Sequence, residues 1–122
     1  MSGEQPDRLD AVIVKLREFV RERDWEQFHD PKNLAMAIAS EAGELLAEYR
    51  WVSNAEADQW SGAPENRKRV EAEAADVGIA LLMFCDSVGV DLPNAMRAKI
   101  EINRANYPAS ESKGRRERPG RP

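Results

Sequence analysis

The amino-acid sequence predicts an all-α protein whose four main helices form a bundle. Apolar residues recur at three- and four-residue steps, the period of a helix, in four separate stretches of the chain. Short segments rich in loop-forming residues join these stretches, and the sequence shows neither the alternation of a strand nor an internal repeat. A chain of 122 residues suits one domain, so an active site would lie in a groove between helices or between subunits.

The first helix is predicted over residues 6–23, after a flexible N-terminus at residues 1–5. Pro6 can open this helix, because the N–H that proline lacks would have no partner in the first turn. The apolar positions that follow the helical period are Leu9, Val12, Ile13, Leu16, Phe19 and Val20. A connector follows at residues 24–30, and its bulky side chains are Trp25, Phe28 and His29.

The second helix starts at Pro31 and is predicted to reach Tyr49 or Trp51. Residues 53–64 contain several loop formers and are predicted as a loop. The third helix is predicted over residues 65–88. Its segment 79–85 is apolar on all sides, so it should lie at the centre of the core or in a subunit interface, with Cys85 as a small buried side chain.

Gly89 ends the third helix, and the fourth helix is predicted over residues 92–106. Pro108 closes the domain, which therefore spans residues 6–108. Residues 109–122 are rich in Pro, Gly, Ser and Arg and are predicted to form a disordered tail. Five basic and two acidic residues give this tail a net charge of +3, which leaves −7 elsewhere because the whole chain carries −4.

The acidic charge of residues 1–108 argues against a nucleic-acid polymer as a partner, since such binding is driven by Lys and Arg. The N-terminal residues are polar and acidic, unlike a secretory signal, and no apolar run approaches the roughly 20 residues that cross a bilayer. One cysteine allows neither an internal disulfide nor a zinc site built on cysteines. The expectation is a soluble cytoplasmic protein with no membrane partner.

Two pairs of carboxylates are the most informative feature of the sequence. Glu41 and Glu44 lie in the second helix, and Glu73 and Asp76 lie in the third. A spacing of three puts both members of a pair on one helix face, with Cβ atoms about 5–6 Å apart. One such pair alone is ordinary on a solvated helix. Two pairs on consecutive antiparallel helices can bring four carboxylates together.

Four converging carboxylates predict a bound cation. At about 4 Å and an effective dielectric constant near 20, each like-charge contact costs roughly 4 kcal/mol. Neither motif contains Lys or Arg, and a set of oxygen ligands suits Mg²⁺ or Mn²⁺ rather than zinc. A di-iron bundle would need a histidine in each of two helices, whereas the one histidine, His29, lies in a connector.

A further set of positions forms a recognisable pattern together with the carboxylates. The positions are residues 23–29, Glu41, Glu44, Trp51, Glu73, Asp76, residues 91–93, Lys99, Asn103, Tyr107 and Pro108. This pattern resembles the MazG-related all-α nucleotide pyrophosphohydrolases, most of all the short dCTP pyrophosphatase branch. The resemblance spans residues 16–108. It implies a MazG-like four-helix bundle that assembles as a homodimer or homotetramer.

The resemblance implies hydrolysis of nucleoside triphosphates between the α- and β-phosphates. The products would be a monophosphate and pyrophosphate, as in house-cleaning of the nucleotide pool. It implies that Mg²⁺, with Mn²⁺ as the alternative, is held by Glu41, Glu44, Glu73 and Asp76. It also implies that Lys99 and Asn103 reach the phosphates, and their spacing of four puts them on one helix face.

The base and sugar pocket is implied to be lined by Trp25, Phe28, His29 and Trp51. The dCTP-selective relatives tend to have a Tyr where this chain has Ala80 and a His where it has Leu16. Both changes remove polar groups from the pocket. The expected substrates are therefore dCTP or related pyrimidine nucleotides, including modified ones.

Two other functions compete with this interpretation. The first is a helical interaction module that keeps the fold without the chemistry, and the full set of carboxylates argues against it. The second is the related pyrophosphohydrolase chemistry on a phosphoribosyl nucleotide, and the tryptophan-rich pocket segment argues against that.

Overall fold

The computed structural model describes residues 8–117, and all regular secondary structure among these residues is helical. The helices in chain order are α1 (Arg8–Glu22), α2 (Pro31–Tyr49), α3 (Ala57–Gly62), α4 (Pro64–Val88), α5 (Leu92–Asn106) and α6 (Ala109–Ser112), with a 3₁₀ turn at Glu26–Phe28. The predicted all-α class is confirmed. Within the described part of the chain, no helix is both long and apolar enough to cross a bilayer.

Gly89 separates the chain into two compact units. Its φ of +73° lies in the left-handed region, which suits glycine, and its N–H donates to the carbonyl oxygen of Cys85 at the end of α4. The first unit contains α1 to α4, and the second contains α5 and α6. The predicted end of the helix at Gly89 is confirmed.

Aspartate side chains stabilise the starts of two helices. Asp30 Oδ1 accepts hydrogen bonds from the backbone N–H groups of Lys32 at 2.8 Å and Asn33 at 3.1 Å. Asp91 accepts one from the N–H of Asn94 at 3.2 Å, at the start of α5. These N–H groups have no acceptor within the first turn of their own helix, so the carboxylates satisfy donors that would otherwise need water.

The first unit is assembled on α4, which contacts α1, α2 and α3, and α2 most extensively. Nε of Arg69 on α4 donates to Oε2 of Glu48 on α2 at 3.0 Å. Asp76, seven residues after Arg69 on α4, has a carboxylate oxygen within 4.8 Å of one of Glu41, which lies seven residues before Glu48 on α2. The two helices are therefore antiparallel, and equal steps of about two turns keep the same two faces opposed.

The buried apolar side chains of the described residues are few, and they are Val20, Leu34, Ala80, Leu82 and Cys85. Three of them come from the half of α4 that is apolar on all sides, so the prediction that this half enters the core is confirmed. Burial raises the pKa of the Cys85 thiol, which keeps it protonated and unreactive at neutral pH.

The connector between α1 and α2 is tied to the C-terminal half of α4. Ser87 Oγ on α4 donates to the carbonyl oxygen of His29 at 3.0 Å. Arg17 on α1 pairs with Asp86 on α4 at nitrogen–oxygen distances of 2.6 and 2.8 Å. These contacts hold α1 and the connector beside the end of α4.

The predicted loop at residues 53–64 is wrong over Ala57–Gly62, which forms α3. Tertiary contacts stabilise this short helix against its loop-forming composition. The Trp60 ring packs against the Tyr49 ring with centroids 4.9 Å apart, and the hydroxyls of Tyr49 and Ser61 are hydrogen-bonded at 2.7 Å. The sequence shows the large apolar side chain of Trp60, but it does not show that Tyr49 is the residue against which Trp60 packs.

The two ends of the chain differ in part from expectation. The predicted helix start at Pro6 and the flexible residues 1–5 lie outside the described residues, as do residues 118–122 of the tail. The prediction of disorder is wrong over Ala109–Ser112, which forms α6. The carbonyl oxygen of Pro108 accepts two N–H groups at 2.9 Å, from Glu111 and Ser112, and this closes a helical turn.

Asp30→Ala should lower the free energy of unfolding by about 1 kcal/mol, because two N–H groups at the start of α2 lose their acceptor. Urea denaturation followed by circular dichroism measures the change. Glu56→Ala is the matched control, since Glu56 stands at the same position before α3 but its side chain makes no capping hydrogen bond. Equal losses for the two variants would show that the Asp30 cap contributes nothing specific.

Candidate active site

Three of the four predicted site carboxylates meet between α2 and α4. Glu41, Glu73 and Asp76 each offer an oxygen atom within 4.8 Å of the others. Glu41 and Glu73 are half-buried and Asp76 is exposed, so the cluster lies at the mouth of the groove between the helices. The three-residue spacing on α4 and the antiparallel register with α2 together produce this convergence.

Glu44 stands outside this close group. It lies on α2 three residues after Glu41, and its side chain is exposed. Its charge nevertheless contributes to raising the pKa of Glu73, so it belongs to the same electrostatic site. The structure thus brings three of the predicted carboxylates within coordination distance of one another and leaves the fourth one turn further along α2.

The carboxylates repel one another, and Glu73 shows the consequence. Its pKa is raised above the ordinary carboxyl value, first by loss of solvent around it and then by the charges of Asp76, Glu44, Glu41 and Glu48. A cation between these oxygens would remove the repulsion. Carboxylate oxygens are the ligands of hard divalent ions, so the donor set fits Mg²⁺ or Mn²⁺.

A fifth carboxylate and a guanidinium, which the sequence analysis missed, border the cluster. Glu48 is one of the charges that act on Glu73, and it forms an ion pair with Arg69 at 3.0 Å. Both positions follow from the register: Glu48 lies seven residues after Glu41, and Arg69 lies seven residues before Asp76. A search of the sequence two helical turns from each carboxylate pair, along the same helix face, would have identified Glu48 and Arg69.

The predicted pocket aromatics occupy separate places in the described chain. The Trp25 ring packs edge-on against Phe19 with centroids 5.5 Å apart. The Trp51 side chain is 87% exposed, and the Arg50 guanidinium lies 5.5 Å from the centre of its ring. Phe28 is also exposed, at 64%. The chain alone therefore does not bring Trp25 and Trp51 together as a base clamp.

A cavity of about 360 Å³ lies between α1, the connector and the C-terminal half of α4. Its wall includes Leu16, Leu82 and Met83, with His29 and the Arg17–Asp86 ion pair among the polar groups. Small-molecule sites commonly begin at about 300 Å³, so the cavity is large enough for a nucleoside-sized group. Two predicted pocket positions, Leu16 and His29, line it.

Lys99 and Asn103 lie on α5, in the second unit. They are exposed and one turn apart, as their spacing predicted, so both side chains are on the same side of α5. The carbonyl oxygen of Asn103 accepts the N–H of Tyr107 at the end of this helix, at 2.7 Å.

Comparisons with known proteins identify the family. No protein-family model matches the chain. It is 42% identical to dCTP pyrophosphatase 1 of Rattus norvegicus over 97 residues, and 42% identical to the Homo sapiens protein of that name over 92 residues. The crystal structure of a pyrophosphatase from Archaeoglobus fulgidus matches with a TM-score of 0.79 and 34% identity, covering 88% of this chain and 99% of that one. The chain belongs to the MazG-related all-α pyrophosphatases.

The family prediction is therefore confirmed. The matches cover 80% and 75% of this chain, but only 57% of the rat protein and 54% of the human one. The chain thus spans just over half the length of these curated relatives, and nearly the full length of the archaeal pyrophosphatase.

The raised pKa of Glu73 predicts a pH dependence of stability in the absence of divalent ions. Between the ordinary carboxyl pKa, about 4.3, and the raised folded value, the folded protein binds more protons than the unfolded chain. The free energy of unfolding should therefore fall as pH rises through this window. Glu73→Gln should flatten the fall and raise the melting temperature at neutral pH.

Thermal melts in a chelating buffer across this pH range measure the effect. Glu71→Gln, on the same helix but paired with the exposed Arg67, should keep the wild-type pH slope. A lower neutral-pH melting temperature for Glu73→Gln in chelator would contradict the picture of mutually repelling carboxylates.

Proposed function

We propose that this protein hydrolyses nucleoside triphosphates to a monophosphate and pyrophosphate with the help of a divalent cation. The substrates we assign are dCTP and related pyrimidine deoxynucleotides, including modified ones. The observation that carries the proposal is the convergence of Glu41, Glu73 and Asp76 between α2 and α4. The 42% identity to proteins named dCTP pyrophosphatase supports the choice of substrate.

Mg²⁺ is the proposed ion, with Mn²⁺ as the alternative. Glu41, Glu73 and Asp76 would hold it, and Glu44, exposed one turn further along α2, is free to turn toward it as the fourth ligand. When bound, the ion neutralises phosphate charge and orders the groups around the α-phosphorus. Lys99 and Asn103 on α5 are proposed to contact the phosphates.

The reaction proceeds by attack of water on the α-phosphorus. A bond forms from the water oxygen to phosphorus, and the bond to the oxygen that bridges the α- and β-phosphates breaks. The electron pair of that bond leaves with pyrophosphate, and the proton lost by water passes to solvent. The carboxylates of α2 and α4 serve this step by holding the reacting groups in line, which is where most catalysis of phosphoryl transfer arises.

The base is proposed to bind toward the cavity beside α1. Leu16 in its wall and the buried Ala80 offer no side-chain hydrogen bond, so hydrogen bonds to the base edge are proposed to come from the polar groups of the cavity wall, His29 among them. Aromatic stacking by Trp25, Phe28 and Trp51 accepts any base, because it recognises the ring face and not the ring edge. These residues support tolerance of substituents on the base, and the choice of pyrimidines rests on the similarity to proteins named dCTP pyrophosphatase.

A homodimer or homotetramer is part of the proposal. Large apolar side chains on and beside α2 are exposed, among them Met36 at 54%, Leu46 at 71% and Trp51 at 87%. A second copy is the proposed cover for these side chains, because burial of large apolar side chains is favourable and closed symmetric assembly is the usual outcome for soluble homo-oligomers. The cytoplasmic location and the absence of a nucleic-acid partner stay predictions.

The reaction products test the function directly. Phosphorus NMR of a mixture of protein, Mg²⁺ and dCTP should show a nucleoside monophosphate and pyrophosphate in equal amounts. The same measurement on dTTP, dUTP and a 5-substituted dCTP should show turnover of more than one pyrimidine. Orthophosphate with a nucleoside diphosphate would contradict cleavage at the α-phosphorus, and no turnover of any nucleotide would favour a non-catalytic module.

Asp76→Asn and Glu44→Gln should reduce turnover to near background, because each removes a charged oxygen ligand and leaves the side-chain shape unchanged. Removing a group that stabilises transferring phosphate typically costs about a hundredfold to a thousandfold in rate. Steady-state kinetics with excess Mg²⁺ measures the loss, and Glu71→Gln on the outer face of α4 should keep the wild-type rate. Near-normal rates for Asp76→Asn would remove the assignment of this cluster as the metal site.

A further inference from the structure

The cavity, the carboxylates and an arginine follow one another along a single face of α4. Met83 lines the cavity, Asp76 belongs to the carboxylate cluster, and Arg69 pairs with Glu48. Each lies seven residues from the next, which is two helical turns and a rise of about 10.5 Å. A nucleotide lying along this face with its base at the cavity and its α-phosphate at the carboxylates would direct its outer phosphates toward Arg69.

Arg69 is held in a defined position and keeps hydrogen-bonding capacity. Its Nε donates to Glu48 at 3.0 Å and its Nη2 donates to Asn66 Oδ1 at 3.1 Å, while its guanidinium carbon lies 6.0 Å from the centre of the Trp60 ring. Asn66 is itself fixed, because its amide donates to the carbonyl oxygen of Trp60 at 3.0 Å. An arginine has five N–H donors, and the bonds seen among residues 8–117 use two of them.

The negative charge of the cluster favours a positively charged group on the side where the outer phosphates would lie. Glu41, Glu44, Glu48, Glu73 and Asp76 are all carboxylates, and a triphosphate adds further negative charge. The bond that breaks leaves its electron pair on pyrophosphate, so charge grows on the outer phosphates during the reaction. Arg69 stands one turn, about 6 Å of rise, from Glu73 on that side of the cluster.

We propose that Arg69 binds the β- and γ-phosphates and stabilises pyrophosphate as it leaves. This assignment rests on the proposed function and names a phosphate-binding residue of the same site. The planar guanidinium matches two phosphate oxygens at once, which an ammonium group does not do. Glu48 holds the guanidinium in place without substrate, and the phosphates take over this role as substrate binds.

Binding of the two products separately tests the assignment. Isothermal titration calorimetry with Mg²⁺ measures the affinities for pyrophosphate and for dCMP in the wild type, Arg69→Gln, Glu48→Gln and Arg67→Gln. Arg69→Gln should weaken pyrophosphate binding by about tenfold to a hundredfold, the effect of losing charged hydrogen bonds, and leave dCMP binding unchanged. Glu48→Gln should retain pyrophosphate affinity, because it removes a competitor for the guanidinium.

Arg67→Gln is the matched control for charge. Arg67 lies two residues away on α4 and pairs with the exposed Glu71 at 2.8 Å instead of with Glu48, so the variant makes the same charge change without breaking the Arg69–Glu48 pair. It should bind both products as the wild type does. If Arg69→Gln bound pyrophosphate as tightly as Arg67→Gln, the assignment would be wrong.

The Glu48 variant separates a phosphate contact from a structural tie between α2 and α4. Arg69→Gln and Glu48→Gln break the same ion pair, so a purely structural role predicts equal losses of pyrophosphate affinity in both, and that result overturns the proposal. Arg69→Lys keeps the positive charge but loses the planar guanidinium. Its pyrophosphate affinity should lie between those of the wild type and Arg69→Gln. This variant provides the test if Arg69→Gln does not fold.

Failure of the proposed function has a different signature. A wild-type protein that neither cleaves a nucleotide nor binds pyrophosphate overturns both proposals. A wild-type protein that releases pyrophosphate, together with an Arg69→Gln variant of unchanged pyrophosphate affinity, overturns the Arg69 assignment alone.

Discussion

Repulsion among the carboxylates between α2 and α4 is the constraint on which the first unit depends. These helices pack most extensively with each other, yet their facing sides carry Glu41, Glu44 and Glu48 against Glu73 and Asp76. The packing must therefore be supplied at the two ends of the contact. At one end are the buried Leu34, Ala80 and Leu82, and at the other the Glu48–Arg69 ion pair and the Tyr49–Trp60 contact. Apolar and paired groups thus flank a strip that opposes folding until its charge is neutralised.

The proposed assembly would connect the exposed apolar side chains of α2 with the carboxylate cluster on the same helix. The core of the described residues is small, and large apolar side chains of α2 face outward, including Met36 and Leu46. Repulsion among the carboxylates offsets part of the stability that α2 gains by packing on α4. In the homo-oligomer proposed above, burial of the opposite face against another copy would add apolar contact to the same helix. Assembly would then also restrain the helix that carries Glu41 and Glu44.

The parts of the structure that depend on local periodicity were predictable from the sequence, and the parts that depend on register were not. Apolar steps and the end signal at Gly89 predicted α2, α4 and α5 with nearly the observed bounds. A spacing of three correctly placed Glu73 and Asp76 side by side. The α3 helix was missed because its stability comes from Trp60 against Tyr49, a contact between residues eleven positions apart that propensity does not show. Glu48 and Arg69 were missed because neither belongs to a local motif, and only the antiparallel alignment brings them to the cluster.

The distribution of polar groups along α4 indicates how such a site can combine firm binding with a tolerant base preference. At the cavity end, Leu16 and Met83 present apolar surface beside polar groups such as His29, and the proposed recognition of the base there depends on fit as well as hydrogen bonds. At the other end, Arg69 is oriented by Glu48 and Asn66, and the proposed recognition of phosphate depends on charge and directed hydrogen bonds. All nucleoside triphosphates have the same phosphate groups and differ in their bases. Under the proposed function, binding energy concentrated on the phosphates would be available to every substrate, and the base would need only to fit a cavity of about 360 Å³. Such a division would suit hydrolysis of altered nucleotides, because a substituent on the base would change the contacts at the cavity and leave the phosphate contacts intact.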